Sequence, residues 1–192
     1  MIRRLCVFCG AHRGARSIYA TAAREVGAAL VERGIALVYG GGNIGLMEVL
    51  ADTMLERGGV VIGVIPESLR AREVAHGGLT ELRVVNSMHE RKALMADLAD
   101  GFVALPGGLG TFEELLEIST WGQLGFHRKP IGLLNLDGYF DPLLAQLDRA
   151  VTERFLRPEH RRLLIVANQV APLLDAVVAV PAAGPSSLLG AC

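Results

Sequence analysis

Lysine is almost absent from this chain: of nineteen Lys and Arg residues, only Lys92 and Lys129 are lysines. A pyridoxal phosphate enzyme needs a lysine for its Schiff base, and neither of these lies in a convincing cofactor setting. Decarboxylation by that route is not expected. The arginines are scattered and the formal net charge is −1. No basic stripe exists of the kind that nucleic acid or a membrane surface demands. No apolar run approaches the length of a membrane span. Arg3-Arg4 followed by Leu5 to Cys9 begins like a secretory leader, but Gly10-Ala11-His12-Arg13 cuts the run short. The expected location is cytoplasmic. Cysteine is scarce as well, with Cys6, Cys9 and Cys192 alone. Cys6 and Cys9 match Cys-x-x-Cys, yet Cys6 lies inside an apolar run rather than at a helix start, where a redox pair sits. No second cluster completes a structural zinc site. Buried thiols in a reducing compartment are expected.

What the chain has is apolar residues and glycine: 51% hydrophobic, with 23 Gly in 192 residues. Short apolar, often β-branched runs read as strands at Leu5–Phe8, Ala36–Tyr39, Val60–Ile65, Leu82–Val85, Phe102–Leu105 and Ile131–Leu134. Helical spacing fills the gaps at Ile18–Arg33, Leu46–Arg57, His89–Ala99, Thr111–Leu124 and Phe140–Arg154. Leu163–Val166 adds a last strand and Val170–Val180 a closing helix. Gly34, Gly58 and Gly101 stand where helix C-caps are expected. Such alternation predicts an α/β fold, a parallel sheet with helices on both faces and right-handed crossovers. Residues 1–180 are expected to form one domain, with Arg70–Gly78 an irregular loop and 181–192 a loose tail. No internal repeat is visible.

Residues 101–114 carry the most chemistry. The run Phe102–Leu105 is broken by Pro106-Gly107-Gly108-Leu109-Gly110, and Thr111 opens an amphipathic helix. Strand, glycine loop and helix start form a phosphate-holding device, because glycines admit backbone N–H groups close to an anion and first-turn N–H groups complement its charge. Thr111-Phe112-Glu113-Glu114 also reads as a capping box with Thr111 at the N-cap. Glu114 is then a cap, a catalytic carboxylate beside the phosphate, or both.

Two further glycine loops follow strands. Gly40-Gly41-Gly42-Asn43-Ile44-Gly45 fits the dinucleotide fingerprint, but it belongs to the second strand–helix unit and its acidic partner, Glu67, comes late. Gly10–Gly14 follows the first strand. Together the three loops fit one crevice at a topological switch point, or are simply tight turns. Arg91, in Met88-His89-Glu90-Arg91-Lys92, is either a phosphate ligand or a solvated helix charge paired with Glu90 or Asp97. In either case it is expected to be an exposed helix charge. Arg91→Ala would then abolish turnover if Arg91 is catalytic, while leaving folding almost unchanged. The helix Thr111–Leu124 is apolar on two sides: Phe112, Leu115, Leu116 and Ser119 form one stripe, while Ile118, Trp121 and Gly125 lie off it. A sheet covers one stripe, so the other is expected to meet a second subunit in a homodimer.

These residues resemble the LONELY GUY family of cytokinin riboside 5′-monophosphate phosphoribohydrolases, once widely labelled lysine decarboxylases. Pro106 through Glu114 meets Pro-Gly-Gly-x-Gly-Thr-x-x-Glu, and Met88, Arg91 and Lys92 meet Met-x-x-Arg-Lys. Val38–Gly42, Gly45–Met47, Val61–Pro66 and Thr120–Gly125 are similar to family segments, so the likeness spans residues 5 to about 155. It implies a Rossmann-like, doubly wound fold that cleaves the N-glycosidic bond of a purine nucleoside 5′-monophosphate, with no metal or redox cofactor. It implies that Arg91 and Glu114 are catalytic. Gly41, Gly42, Met88, Lys92, Pro106, Gly107, Gly108, Leu109, Gly110 and Thr111 would hold substrate and phosphate. Two departures bear on substrate: Ala11 stands where the family usually has Ser, and Glu48 where it commonly has Gly. The expected substrate is an N6-substituted adenosine 5′-monophosphate. AMP itself in a specialised pathway, nucleotide binding without turnover, and a nicotinamide-dependent oxidoreductase are the alternatives.

Overall fold

Strands buried on both faces need apolar side chains at every position, and the short Val-, Ile- and Leu-rich runs supply them. The computed structural model describes residues 1–70 and 75–180. In chain order its elements are β1 (Arg4–Phe8), α1 (Ser17–Glu32), β2 (Ala36–Tyr39), α2 (Gly45–Glu56), β3 (Val61–Pro66), α3 (Glu67–Arg70), β4 (Glu81–Val85) and α4 (Met88–Leu98). There follow β5 (Gly101–Ala104), α5 (Leu109–Gln123), β6 (Ile131–Leu134), α6 (Asp141–Thr152), α7 (Pro158–Arg161), β7 (Leu164–Ala167) and α8 (Val170–Ala179). The strands form one sheet in the order β4-β3-β2-β1-β5-β6-β7, with every neighbouring pair parallel. This is a doubly wound α/β sheet of Rossmann-like type. The tail expected at 181–192, and residues 71–74 of the expected loop, lie outside the described residues.

Period-two alternation divides the core into two layers. Leu5, Val7, Leu37 and Tyr39 pack with α1, α2 and α8 on one face. Cys6, Phe8, Val38 and Val64 pack with α4, α5 and the partly buried leucines of α6 on the other. Cys6 and Cys9 thus fall into opposite layers, and both are free and buried.

Two expected caps are corrected. Gly34 and Gly58 follow α1 and α2 with φ of +64° and +75°, as the C-cap reading requires. Gly101 does not cap α4, whose C-cap is Ala99; it is the first residue of β5, paired with Leu5. Its smallness serves packing, since a Cβ there would press on the side chains of Leu5 and Pro130. Thr111 is not the N-cap of α5 either. That position belongs to Gly108, and Thr111 is the third helical residue, 3% exposed. The capping box over Thr111–Glu114 is therefore not formed. A box of that type stands at α4 instead, where Ser87 Oγ accepts from the Glu90 N–H at 3.1 Å and Glu90 accepts from the Asn86 N–H at 2.8 Å.

Strand order runs outward from β1 through β2 to β4 on one side and from β5 to β7 on the other. The loops leaving β1 and β5 diverge at this point, and a crevice opens between them.

Candidate active site

That crevice is a cavity of about 510 Å³ at the carboxyl ends of β1 and β5. The β1 loop, Gly10–Gly14, forms one wall and Pro106–Thr111 another. The two are joined where the Gly10 N–H donates to the Pro106 carbonyl at 3.1 Å. Leu46 and Met47 of α2, Leu69 of α3 and Met88 of α4 make an apolar side. The sequence expectation of one crevice holds for the β1 and β5 loops.

Helix α5 starts two residues earlier than its sequence suggests, and this places its first N–H groups in the cavity. Leu109, Gly110 and Thr111 occupy the first turn, where backbone donors have no partner inside the helix, and all three line the cavity. A Cβ on Gly107 would collide with the Thr111 hydroxyl and with the N–H of Gly10. Only glycine lets the loop fold so closely onto the helix it precedes. A helix start with free first-turn N–H groups is an arrangement that can hold an anion.

Arg91 and Glu114 enter the same cavity from α4 and α5. Arg91 is not the solvated helix charge of the alternative reading, for it is 4% exposed. Its Nε donates to the Val64 carbonyl at 3.1 Å and an Nη donates to the Gly40 carbonyl at 2.9 Å. A Cβ on Gly40 would strike the guanidinium, so the glycine loop after β2 makes room for this arginine. The planar fork is thereby fixed across the ends of β2 and β3. Glu114 lies in the second turn of α5, half-buried. Cys9 also lines the cavity, but burial, and secondarily the charge of Glu114, push its thiol far above the ordinary range. It stays protonated and is no nucleophile.

Residues 47–177 match the family profile described as "Possible lysine decarboxylase". Over 172 residues the chain is 56% identical to the cytokinin riboside 5′-monophosphate phosphoribohydrolase LOG of Oryza sativa subsp. japonica, spanning 90% of this chain and 71% of that protein. The chain belongs to the LONELY GUY family. A cytokinin riboside 5′-monophosphate phosphoribohydrolase of Arabidopsis thaliana is 50% identical over 172 residues, 90% of this chain and 79% of the relative. Among solved structures, a molybdenum cofactor binding protein from Rippkaea orientalis aligns with a TM-score of 0.71 at 21% identity, covering 94% of this chain and 98% of that one. The Moco carrier protein of Chlamydomonas reinhardtii gives 0.68 at 22% identity, covering 93% and 96%. At such identity these two speak for the fold alone.

Within this LONELY GUY family chain, Met88, Arg91, Glu114 and Pro106 through Thr111 come together, whereas three expected substrate contacts do not line the cavity. Gly41 lies against β3 and β4, where a Cβ would sit 3.3 Å from Ile65 and Leu82. Gly42 forms an antiparallel bridge with Ala75. Lys92 turns away to α5, where it pairs with Glu113 and, at 3.0 Å, with Glu117. Burial pushes the Lys92 ammonium down, but the bonds to these carboxylates outweigh it and its pKa is raised. Glu48, the departure on α2, forms an ion pair with Arg13 at 2.9 Å.

Among the lining residues that sequence reasoning missed are Tyr19, Tyr139 and the apolar Leu46, Met47 and Leu69. Tyr139 follows Asn135-Leu136-Asp137-Gly138 just beyond β6, at the carboxyl edge on which ligands of such sheets lie. That position was the available signal. Among the described residues, no group of three or more His, Cys, Asp or Glu could hold a metal, and no helix is long and apolar enough to cross a membrane.

Proposed function

We propose that this protein hydrolyses the N-glycosidic bond of an N6-substituted adenosine 5′-monophosphate, releasing the free base and ribose 5-phosphate. The observation that carries the reading is a single cavity holding Arg91, Glu114 and the first turn of α5. The phosphate is anchored by the N–H groups of Leu109, Gly110 and Thr111, and the apolar side at Leu46, Met47, Leu69 and Met88 receives the base. As the bond from C1′ to the base nitrogen breaks, the ribose gains oxocarbenium character. The carboxylate of Glu114 stabilises that charge and positions the ribose or the attacking water, a logic parallel to glycosidase chemistry. The oxygen of water bonds to C1′ and the departing base takes up a proton. Arg91 orients the nucleotide, and binding energy at the remote phosphate is used to align the scissile bond.

Decarboxylase chemistry would need a free lysine in the cavity for a Schiff base. Lys92 is held by two glutamates, and the Lys129 ammonium donates to the Ala96 carbonyl at 2.8 Å. Neither lines the cavity. The protein acts in the cytoplasm as a homodimer through α5, a reading supported by the exposed side chains of Leu116, Leu124 and Phe126.

The test is incubation with AMP and with isopentenyl-AMP, following free base by chromatography. Base release is expected from both, faster from the substituted nucleotide. Absence of release from either, with retained nucleotide binding, would replace hydrolysis by binding without turnover.

A further inference from the structure

The turn between β6 and α6 is built around one tyrosine. Asp137 and Gly138 both adopt left-handed backbone, with φ of +48° and +74°, a conformation that a non-glycine residue such as Asp137 adopts at some cost. Asn135 braces the turn from within: its Oδ1 accepts from the Phe140 N–H at 2.8 Å and its Nδ2 donates to Asp141 at 2.7 Å. From without, Arg16 of the β1 loop holds Asp137 at 2.6 Å. What this bracing presents is Tyr139, whose hydroxyl donates to the Gly107 carbonyl at 2.5 Å. The ring stands edge-on to Tyr19 at 5.7 Å and to Phe140 at 5.0 Å, and Phe140 in turn packs on Phe112 of α5.

We propose that Tyr139 is a positioning residue for the phosphate loop, acting through the peptide that joins Gly107 to Gly108. This peptide is trans and planar, so holding its carbonyl also fixes where the Gly108 N–H points. A two-glycine loop has otherwise the greatest backbone freedom of any sequence. A carbonyl free to rotate toward the phosphate would repel it, and the hydroxyl of Tyr139 both holds that carbonyl and draws off its negative density. The β6–α6 turn thus sets the affinity of the site for phosphate without touching the base.

The inference rests on the phosphate assignment under Proposed function, and the experiment separates the two. Tyr139→Phe keeps the ring and removes only the hydroxyl. Titration calorimetry with ribose 5-phosphate and with inorganic phosphate needs no turnover. The expected result is a Kd for ribose 5-phosphate raised about three- to tenfold, the scale of one lost hydrogen bond. Inhibition by adenine, which lacks phosphate, should stay within twofold. For base release the KM for the monophosphate should rise while kcat changes less. Equal weakening of adenine and ribose 5-phosphate, or a Kd for ribose 5-phosphate unchanged in Tyr139→Phe, would overturn the inference. If wild type releases no base but its ribose 5-phosphate affinity still depends on Tyr139, the inference stands and the proposed reaction falls.

Discussion

Glu114 sits in the second turn of α5, away from the cap at Gly108, so replacing it does not remove a capping hydrogen bond. Glu114→Gln keeps the size and removes the charge. Its effect on folding should stay within about 1 kcal/mol, the scale of a favourable helix-dipole interaction. Base release should fall by orders of magnitude, as expected when charge stabilisation specific to the transition state is lost. An unchanged rate would remove Glu114 from the mechanism. Arg91 behaves differently, because its buried guanidinium satisfies the carbonyls of Gly40 and Val64. Arg91→Ala should abolish turnover and also destabilise the fold, at about 1–3 kcal/mol for each buried acceptor left without a donor. A melting temperature equal to wild type would contradict this account. Arg91→Lys should recover part of the stability but little activity, since a point charge cannot replace a planar fork. At this scale the sequence was legible for residue type and spacing, and not for burial. Nothing in Met88–Lys92 distinguishes an arginine facing the sheet from one facing water, because that depends on where β2 and β3 end.

The elements of the sheet were more legible than their ends. β2 and β6 stand where their apolar runs predict, and the other strands shift by about one residue, within the ordinary uncertainty of strand and helix ends. The departures fall where glycine and threonine have two uses. Gly101 reads as a helix stop and serves as a close-packing strand residue, and Thr111 reads as a cap and serves as cavity wall. The same ambiguity touched α5 as a whole. Ile118, expected off the core stripe, is buried with Leu115, while Leu116 is 39% exposed. The end of α5 is tied down by His127, whose Nε2 donates to the Ile118 carbonyl at 2.8 Å while Nδ1 accepts from the Lys129 N–H at 3.1 Å. Burial, first of all, pushes this imidazole below its ordinary value, against a smaller upward pull from the Ile118 carbonyl. On acidification the unfolded chain takes up a proton near pH 6.5 before the native protein does. The unfolded state then binds more protons, so stability falls as pH drops below about 6.5 and is fully present above it. Thermal melts between about pH 5 and 7 should record that slope, and His127→Gln, less stable overall, should flatten it. A slope identical in the variant would assign the acid sensitivity to other groups.

For the whole molecule, the arrangement of charge and apolar surface bears on assembly. The net charge of −1 gives little self-repulsion to keep copies apart. Leu116, Leu124 and Phe126 are 39%, 59% and 44% exposed along α5 and just beyond it. Trp121, which lies off the expected stripe, is half-buried against the core. Leu116, Leu124 and Phe126 offer more apolar surface to a second subunit than Trp121 does. Exposed apolar side chains that gather into one patch mark an interface more often than a solvent face. Light scattering at micromolar concentration should give about twice the 20.5 kDa chain mass. Leu124→Arg places a charge at the most exposed of the three, outside the hydrophobic core. It should shift the mass toward one chain while leaving the melting temperature of the separated subunit measurable and cooperative. If wild type is monomeric at that concentration, the homodimer is wrong. If Leu124→Arg remains a dimer, the interface lies on another face, and Phe155, 88% exposed after α6, becomes the position to substitute next.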